Sequence, residues 1–139
     1  MRYKCDKCGE PQNILILADT NLAYARLSSQ SLSQTSVCYH PGHTLVLPKR
    51  HVEDRAELTS EEILELHNLT TRVAKALQIR FGYRSIGILE FHGTRSTPHL
   101  HTHVIPGDPP YAIELDVKGA HKLDIDELDD LTAKLRVHL

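Results

Sequence analysis

A chain of 139 residues is long enough for one domain with a real core. Eighteen acidic against sixteen basic side chains leave it nearly neutral, which argues against binding to extended nucleic acid. No apolar run approaches the roughly 18 residues of a membrane span, and Met1 to Cys8 holds no apolar signal core, so no membrane association and a cytoplasmic location are expected.

In chain order, Cys5 and Cys8 come first, as Cys-x-x-Cys followed by Gly9. Two thiols on a tight turn suit a zinc knuckle, and in a reducing compartment a structural disulfide is not expected. Unligated surface thiols are the plain alternative. Asn13 to Ala18 is an apolar run that reads as a buried strand. Asp19 to Asn21 supplies a turn, and Leu22 to Leu27 a second strand that completes a hairpin. Ser28 to Ser36 is rich in Ser and Gln and reads as a loop. Cys38 lacks a nearby cysteine and reads as a small buried residue. Pro41-Gly42 turns the chain into His43 to Pro48, a third strand, with Lys49-Arg50-His51 at its end.

A long helix comes next. Thr59 can cap it, with Glu62 as the reciprocal partner and Leu58 and Ile63 as a staple. Ile63, Leu66, Leu69, Val73, Ala76 and Leu77 recur at three and four as its apolar stripe, and Gly82 stops it. Glu61, Glu65, Arg72 and Lys75 lie largely outside the stripe, and His67 is given no role. Ser85 to Phe91 reads as a fourth strand and His92 to Thr97 as a polar turn. The fifth strand follows, and Tyr111 to Val117 is a possible sixth at an edge. Asp124 caps a last helix ending near Arg136, with Ile125, Leu128, Leu131 and Leu135 on one side and Lys134 and Arg136 late, as the helix dipole prefers. Short consecutive strands joined by turns predict an antiparallel sheet. The class is α+β, and the whole of 1–139 is expected to be a single domain without internal repeat.

The fifth strand, between Pro98 and Pro106, carries His99, His101 and His103 at alternate positions. On an extended chain the period of two sends all three to one face and Leu100, Thr102 and Val104 to the other. A row of imidazoles can supply a nucleophile, a proton carrier, a donor to phosphate or a set of metal ligands. An open three-histidine metal site and a merely solvent-facing strand remain alternatives on the pattern alone.

These segments together resemble the histidine-triad (HIT) nucleotide hydrolases and transferases. Pro41 to His51 is similar to one family signature, Glu57-Leu58-Thr59 and the helix follow at the usual distance, and Pro98 to Pro106 is similar to the triad itself. Cys5-x-x-Cys8 resembles the zinc-bearing branch. The likeness runs from Cys5 to Pro106; the helix near 124–137 lies outside it.

The resemblance implies a HIT-like antiparallel sheet of about five strands with one long helix and a C-terminal helix. It implies that His101 attacks the α-phosphorus of a nucleotide and forms a covalent nucleotidyl-histidine, which water or an acceptor then releases. His103 and His43 are implied to donate to the phosphate or hold the nucleophile's ring. Cys5, Cys8, His51 and His99 are implied to hold a structural zinc, and two copies of the chain to form a homodimer. The family's glutamine four residues before the triad is Arg95 here, and its acidic ribose contact falls near Thr35. Arg95 can grip phosphate but cannot accept a hydrogen bond; Ser96 or Thr97 can meet a leaving group or cap the turn, and Ser96 is the one taken as a contact. These departures leave a second reading: a zinc-stabilised nucleotide-binding module with little catalysis.

Overall fold

The computed structural model describes residues 5, 7–9, 15–28, 42–90, 98–107 and 124–139. Arg95, Ser96, Thr35, Cys38, the turn at 92–97 and the sixth strand at 111–117 lie outside them. Five strands form one antiparallel sheet: β1 (Ile16–Asp19), β2 (Ala23–Leu27), β3 (Thr44–Pro48), β4 (Ile86–Glu90) and β5 (Thr102–Pro106). Their spatial order is β1-β2-β3-β5-β4. Two helices, α1 (Ser60–Phe81) and α2 (Ile125–Arg136), complete the α+β architecture. Among the described residues no helix is long and apolar enough to cross a membrane.

The sheet has two dissimilar faces because β-strand side chains alternate. Ala23, Ala25, Leu27, Val46 and Val104 join Leu66, Leu69, Val73 and Leu77 of α1 and Leu128, Leu131 and Leu135 of α2 in one core. Tyr24, Leu45 and Leu47, with Ile16 packed against them, form a second apolar cluster. These four alternate with the first set, so they lie on the opposite face, together with His103 of β5.

α1 begins and ends where its local chemistry directs. Thr59 and Glu62 form the reciprocal capping box, and Gly82 closes the helix at φ 70°. The stripe differs at one position. Ile63 is 43% exposed, whereas Glu62 is buried. Glu62 can be buried because Arg50 meets it with Nε and Nη2 at 2.8 and 2.9 Å, a two-point grip on the carboxylate. Gly42, just before His43, lies under the end of this helix. A Cβ there would sit 2.5 Å from Phe81 Cε2 and 2.9 Å from Leu77 Cδ2, so any larger residue displaces those two side chains.

Two strand boundaries shift for physical reasons. β1 starts at Ile16 because Leu15 takes φ 59°, a left-handed backbone that cannot continue a strand, and the register slips between Ile16 and Ala18. Its far end runs on to Asp19, paired with Tyr24. The turn is held from outside: Glu65 of α1 accepts from Thr20 Oγ1 and from the Leu22 N–H, both at 2.7 Å. The triad strand joins the ladder only at Thr102. Before it, Leu100 N–H donates to Val52 O at 2.6 Å instead of to β3. The histidine row therefore straddles the start of β5.

The Arg50–Glu62 pair carries a pH prediction. Hydrogen bonding from Arg50 is the first cause that brings Glu62 down from 4.5 to about 2, against its burial. A carboxylate whose folded pKa is depressed adds stability above its unfolded pKa and loses it as pH falls through the folded one. The contribution is thus complete above about pH 4.5 and gone near pH 2. Arg50 is half exposed, so solvent screening reduces it to on the order of 2 kcal/mol. Arg50→Met is expected to lose about that much at pH 7 and to flatten the acid limb between pH 4.5 and 2. Urea midpoints across that range check it; an unchanged acid limb would contradict it.

Candidate active site and metal site

His43 sits one residue before β3, and His103 lies within β5, one strand over. His43 Nε2 and His103 Nδ1 are 2.8 Å apart. The His101 and His103 rings stack edge-on with centroids 4.8 Å apart. His43 and His101 are buried, and His103 is partly so. Burial is the first cause that lowers the pKa of His101 and of His103, the latter to about 4 with His101 adding to the effect. Both rings are neutral at pH 7. Lys7 and Arg26 also lower His101 through their charge, while Glu90 raises it.

The tautomer of His101 is determined by its partner. Nδ1 lies 2.8 Å from the carbonyl oxygen of His99. A carbonyl can only accept, so Nδ1 carries the proton and the lone pair is on Nε2.

Four donors meet a short distance away. The ligand atoms of Cys5, Cys8, His51 and His99 lie within 4.8 Å of one another. His99 Nδ1 is 3.3 Å from Cys5 Sγ and 3.5 Å from Cys8 Sγ, and His51 Nδ1 is 3.1 Å from Cys8 Sγ. A tetrahedral zinc site has S···N edges of about 3.5 Å. The outer nitrogens fit as well. His99 Nε2 faces the Pro48 carbonyl at 2.8 Å and His51 Nε2 faces Glu53 Oε1 at 3.1 Å. Both acceptors draw the ring proton outward and turn the Nδ1 lone pair toward the sulfurs, as metal-bound histidines do.

The thiols suit the same purpose. Burial pushes the Cys5 thiol up, but the Lys7 backbone, Cys8 and His51 outweigh it and leave its pKa lowered, toward the thiolate that binds metal. An open cleft of about 450 Å³ lined by Cys5, Cys8, His51, Glu53 and Pro98 gives an ion a way in. The Cys5–Cys8 turn is tied down by Gly9 N–H to Lys49 O at 2.6 Å and Tyr24 Oη–H to Lys7 O at 2.9 Å.

Of the residues singled out from sequence, His43, His101 and His103 come together, and so do Cys5, Cys8, His51 and His99. Sequence reasoning passed over Glu53 and Arg26. Glu53 stands two residues after His51, a spacing that could have drawn attention. Arg26 is a lone cation in an otherwise apolar strand, on the same face as the triad.

Comparison with known proteins agrees with this geometry. The HIT domain family model matches residues 14–110. Protein hit of Bacillus subtilis is 34% identical over 68 residues, 47% of this chain and 47% of its own length. AP-4-A phosphorylase of Mycobacterium tuberculosis is 31% identical over 96 residues, 66% of this chain and 46% of that one. Adenosine 5'-monophosphoramidase hnt1 of Schizosaccharomyces pombe is 31% identical over 93 residues, 65% of this chain and 62% of that one. The chain thus spans about half to three fifths of these relatives. A zinc-bound histidine triad family protein from Mycobacterium smegmatis superposes with a TM-score of 0.69 at 19% identity, covering 91% of this chain and 84% of that one, a likeness of fold. With most of its length matched by one family model, on a sheet that carries the triad, this chain belongs to the HIT domain family.

Proposed function

We propose that the protein is a nucleotidyl hydrolase or transferase in which His101 is the nucleophile. The observation that carries this reading is the His101 Nδ1–H to His99 O bond. It leaves Nε2 nucleophilic without a strong base to deprotonate it.

In the first step the Nε2 lone pair forms a bond to the α-phosphorus of a nucleotide, and the bond from phosphorus to the group beyond breaks with its electrons leaving on that group. In the second, water or an acceptor hydroxyl attacks the phosphorus. The N–P bond breaks, the imidazole recovers its lone pair and the attacking group's proton goes to solvent. We assign the shared proton of the pair to His43 Nε2, 2.8 Å from His103 Nδ1, so that the His103 proton is on Nε2, where it can donate to a phosphate oxygen. Arg95 and Ser96 are the proposed further contacts to phosphate and leaving group.

Zn²⁺ is the proposed occupant of the Cys5, Cys8, His51 and His99 site. Four protein ligands close its coordination sphere, so its role is structural. His99 couples the two sites: its ring holds the metal side and its carbonyl holds the nucleophile. The whole chain is taken as one domain. A homodimer paired through α1 and an edge strand completes the proposal; sedimentation equilibrium reads it, and a mass equal to one chain would exclude it.

The relatives act, by their names, on a dinucleoside polyphosphate and a nucleoside phosphoramidate. Nucleoside phosphoramidates, dinucleoside polyphosphates, adenylylated sulfate and sugar nucleotides therefore form the test set, with zinc present. At least one is expected to turn over with release of a nucleoside monophosphate or its transfer to phosphate. Tight binding without turnover of any would overturn the enzymatic reading in favour of a binding module.

A further inference from the structure

Arg26 is a cation in an unusual place. β2 alternates Ala23, Ala25 and Leu27 toward the helices with Tyr24 and Arg26 toward the triad face. Arg26 pairs with Leu45, Leu45 pairs with His103, and Ile16 flanks Arg26 on the other side. One row across the sheet therefore reads Ile16, Arg26, Leu45, His103. Arg26 and His103 stand two strands apart, about 10 Å between backbones, with an apolar floor of Leu45 between them.

Its Nε is sealed from solvent and has no hydrogen-bond partner among the described residues. A buried donor left unsatisfied is costly, more so when charged. Arg26 is rooted on the triad face of the sheet, to the side of the triad and two strands from His103. The reacting phosphate is already served by His101 and His103.

We infer that Arg26 binds a second anionic group of the substrate, a phosphate other than the one His101 attacks, so that the preferred substrates are nucleotides bearing an additional phosphate. This deepens the proposed function and rests on its placement of the nucleotide at His101. An Arg fork matches a phosphate at two points, and the orphaned Nε–H supplies one of them. The additional anion then removes the cost of an unpaired buried donor.

The test is binding, so it does not depend on turnover. Calorimetry compares adenosine 5′-monophosphate with adenosine 5′-diphosphate, 2′,5′-bisphosphate and 3′,5′-bisphosphate, on the zinc-loaded wild type, Arg26→Gln and Arg26→Lys. At least one doubly phosphorylated ligand is expected to bind the wild type roughly ten- to a hundredfold tighter than the monophosphate. Arg26→Gln should erase that preference while leaving monophosphate affinity within about threefold. Arg26→Lys, which keeps charge but loses the fork, should retain part of it. No preference in the wild type, a preference surviving in Arg26→Gln, or an equal loss for all ligands would overturn the inference. Failure of the catalytic reading shows separately, as absence of turnover by a protein whose Arg26-dependent preference persists.

Discussion

Replacing His101 by Ala is expected to lower kcat by at least about 10⁴-fold while leaving the fold and the metal in place. The loss is large because a nucleophile cannot be replaced by its neighbours: removing the group that forms the covalent bond removes the two-step route. His103 and His43 are a different case. Each is proposed to act through a hydrogen bond, directly or by holding the other's tautomer, and losing one such donor costs about 10²–10³ in rate. The stability cost of His101→Ala is modest, since the bond it abandons, Nδ1–H to His99 O, is worth about 1 kcal/mol. Steady-state rates, a thermal melt and a zinc assay on the same sample read the three expectations together. Turnover within tenfold of the wild type would contradict the role given to His101.

Stripping the metal is expected to have the second largest effect. The four ligands come from three places far apart in sequence: the Cys5–Cys8 turn, His51 beyond β3, and His99 ahead of β5. An ion held by all four joins these segments, and its binding energy becomes folding energy. Chelation, or Cys5→Ala with Cys8→Ala, is expected to lower zinc from one per chain to near zero. It should cost on the order of 3–5 kcal/mol, or about 10–17 °C in Tm for a chain of this size. Activity should fall with it, because His99 is then free to turn and its carbonyl no longer holds the His101 ring. Full zinc retention in the double cysteine variant would point instead to the open three-histidine site.

Much of this was readable before any coordinates, and the reasons are local. Thr59, Glu62 and Gly82 mark the ends of α1 because capping is decided within one turn of chain. The period of two through His99, His101 and His103 announced a shared face because side-chain alternation needs no tertiary context. The antiparallel class followed from short strands at short spacing. What was not legible depends on partners distant in sequence. Ile63 obeys the helical period yet stays exposed, while Glu62 is buried because Arg50 reaches it from beyond β3. Glu65 lies outside the apolar stripe, yet it holds the β1–β2 turn. The left-handed Leu15 carries no signal a pattern could register.

The same division runs through the site. The residue types of both clusters were visible, and the likeness to a family grouped them. The tautomers were not visible, because they are set by the carbonyls of Pro48 and His99 and by the Glu53 carboxylate. Those three acceptors are what separate a nucleophile from a metal ligand on one short stretch of chain. Two histidines two residues apart have their protons on opposite nitrogens: Nε2 in His99 and Nδ1 in His101.

The most direct measurement is the mass of the peptide that contains His99 to His103, taken milliseconds after mixing enzyme with a substrate it turns over and quenching in alkaline denaturant. A gain of one nucleotidyl group on His101, forming at least as fast as steady-state turnover and absent from His101→Ala, is the predicted result. Turnover with an unmodified peptide, or the nucleotidyl group on any other residue, would contradict the account.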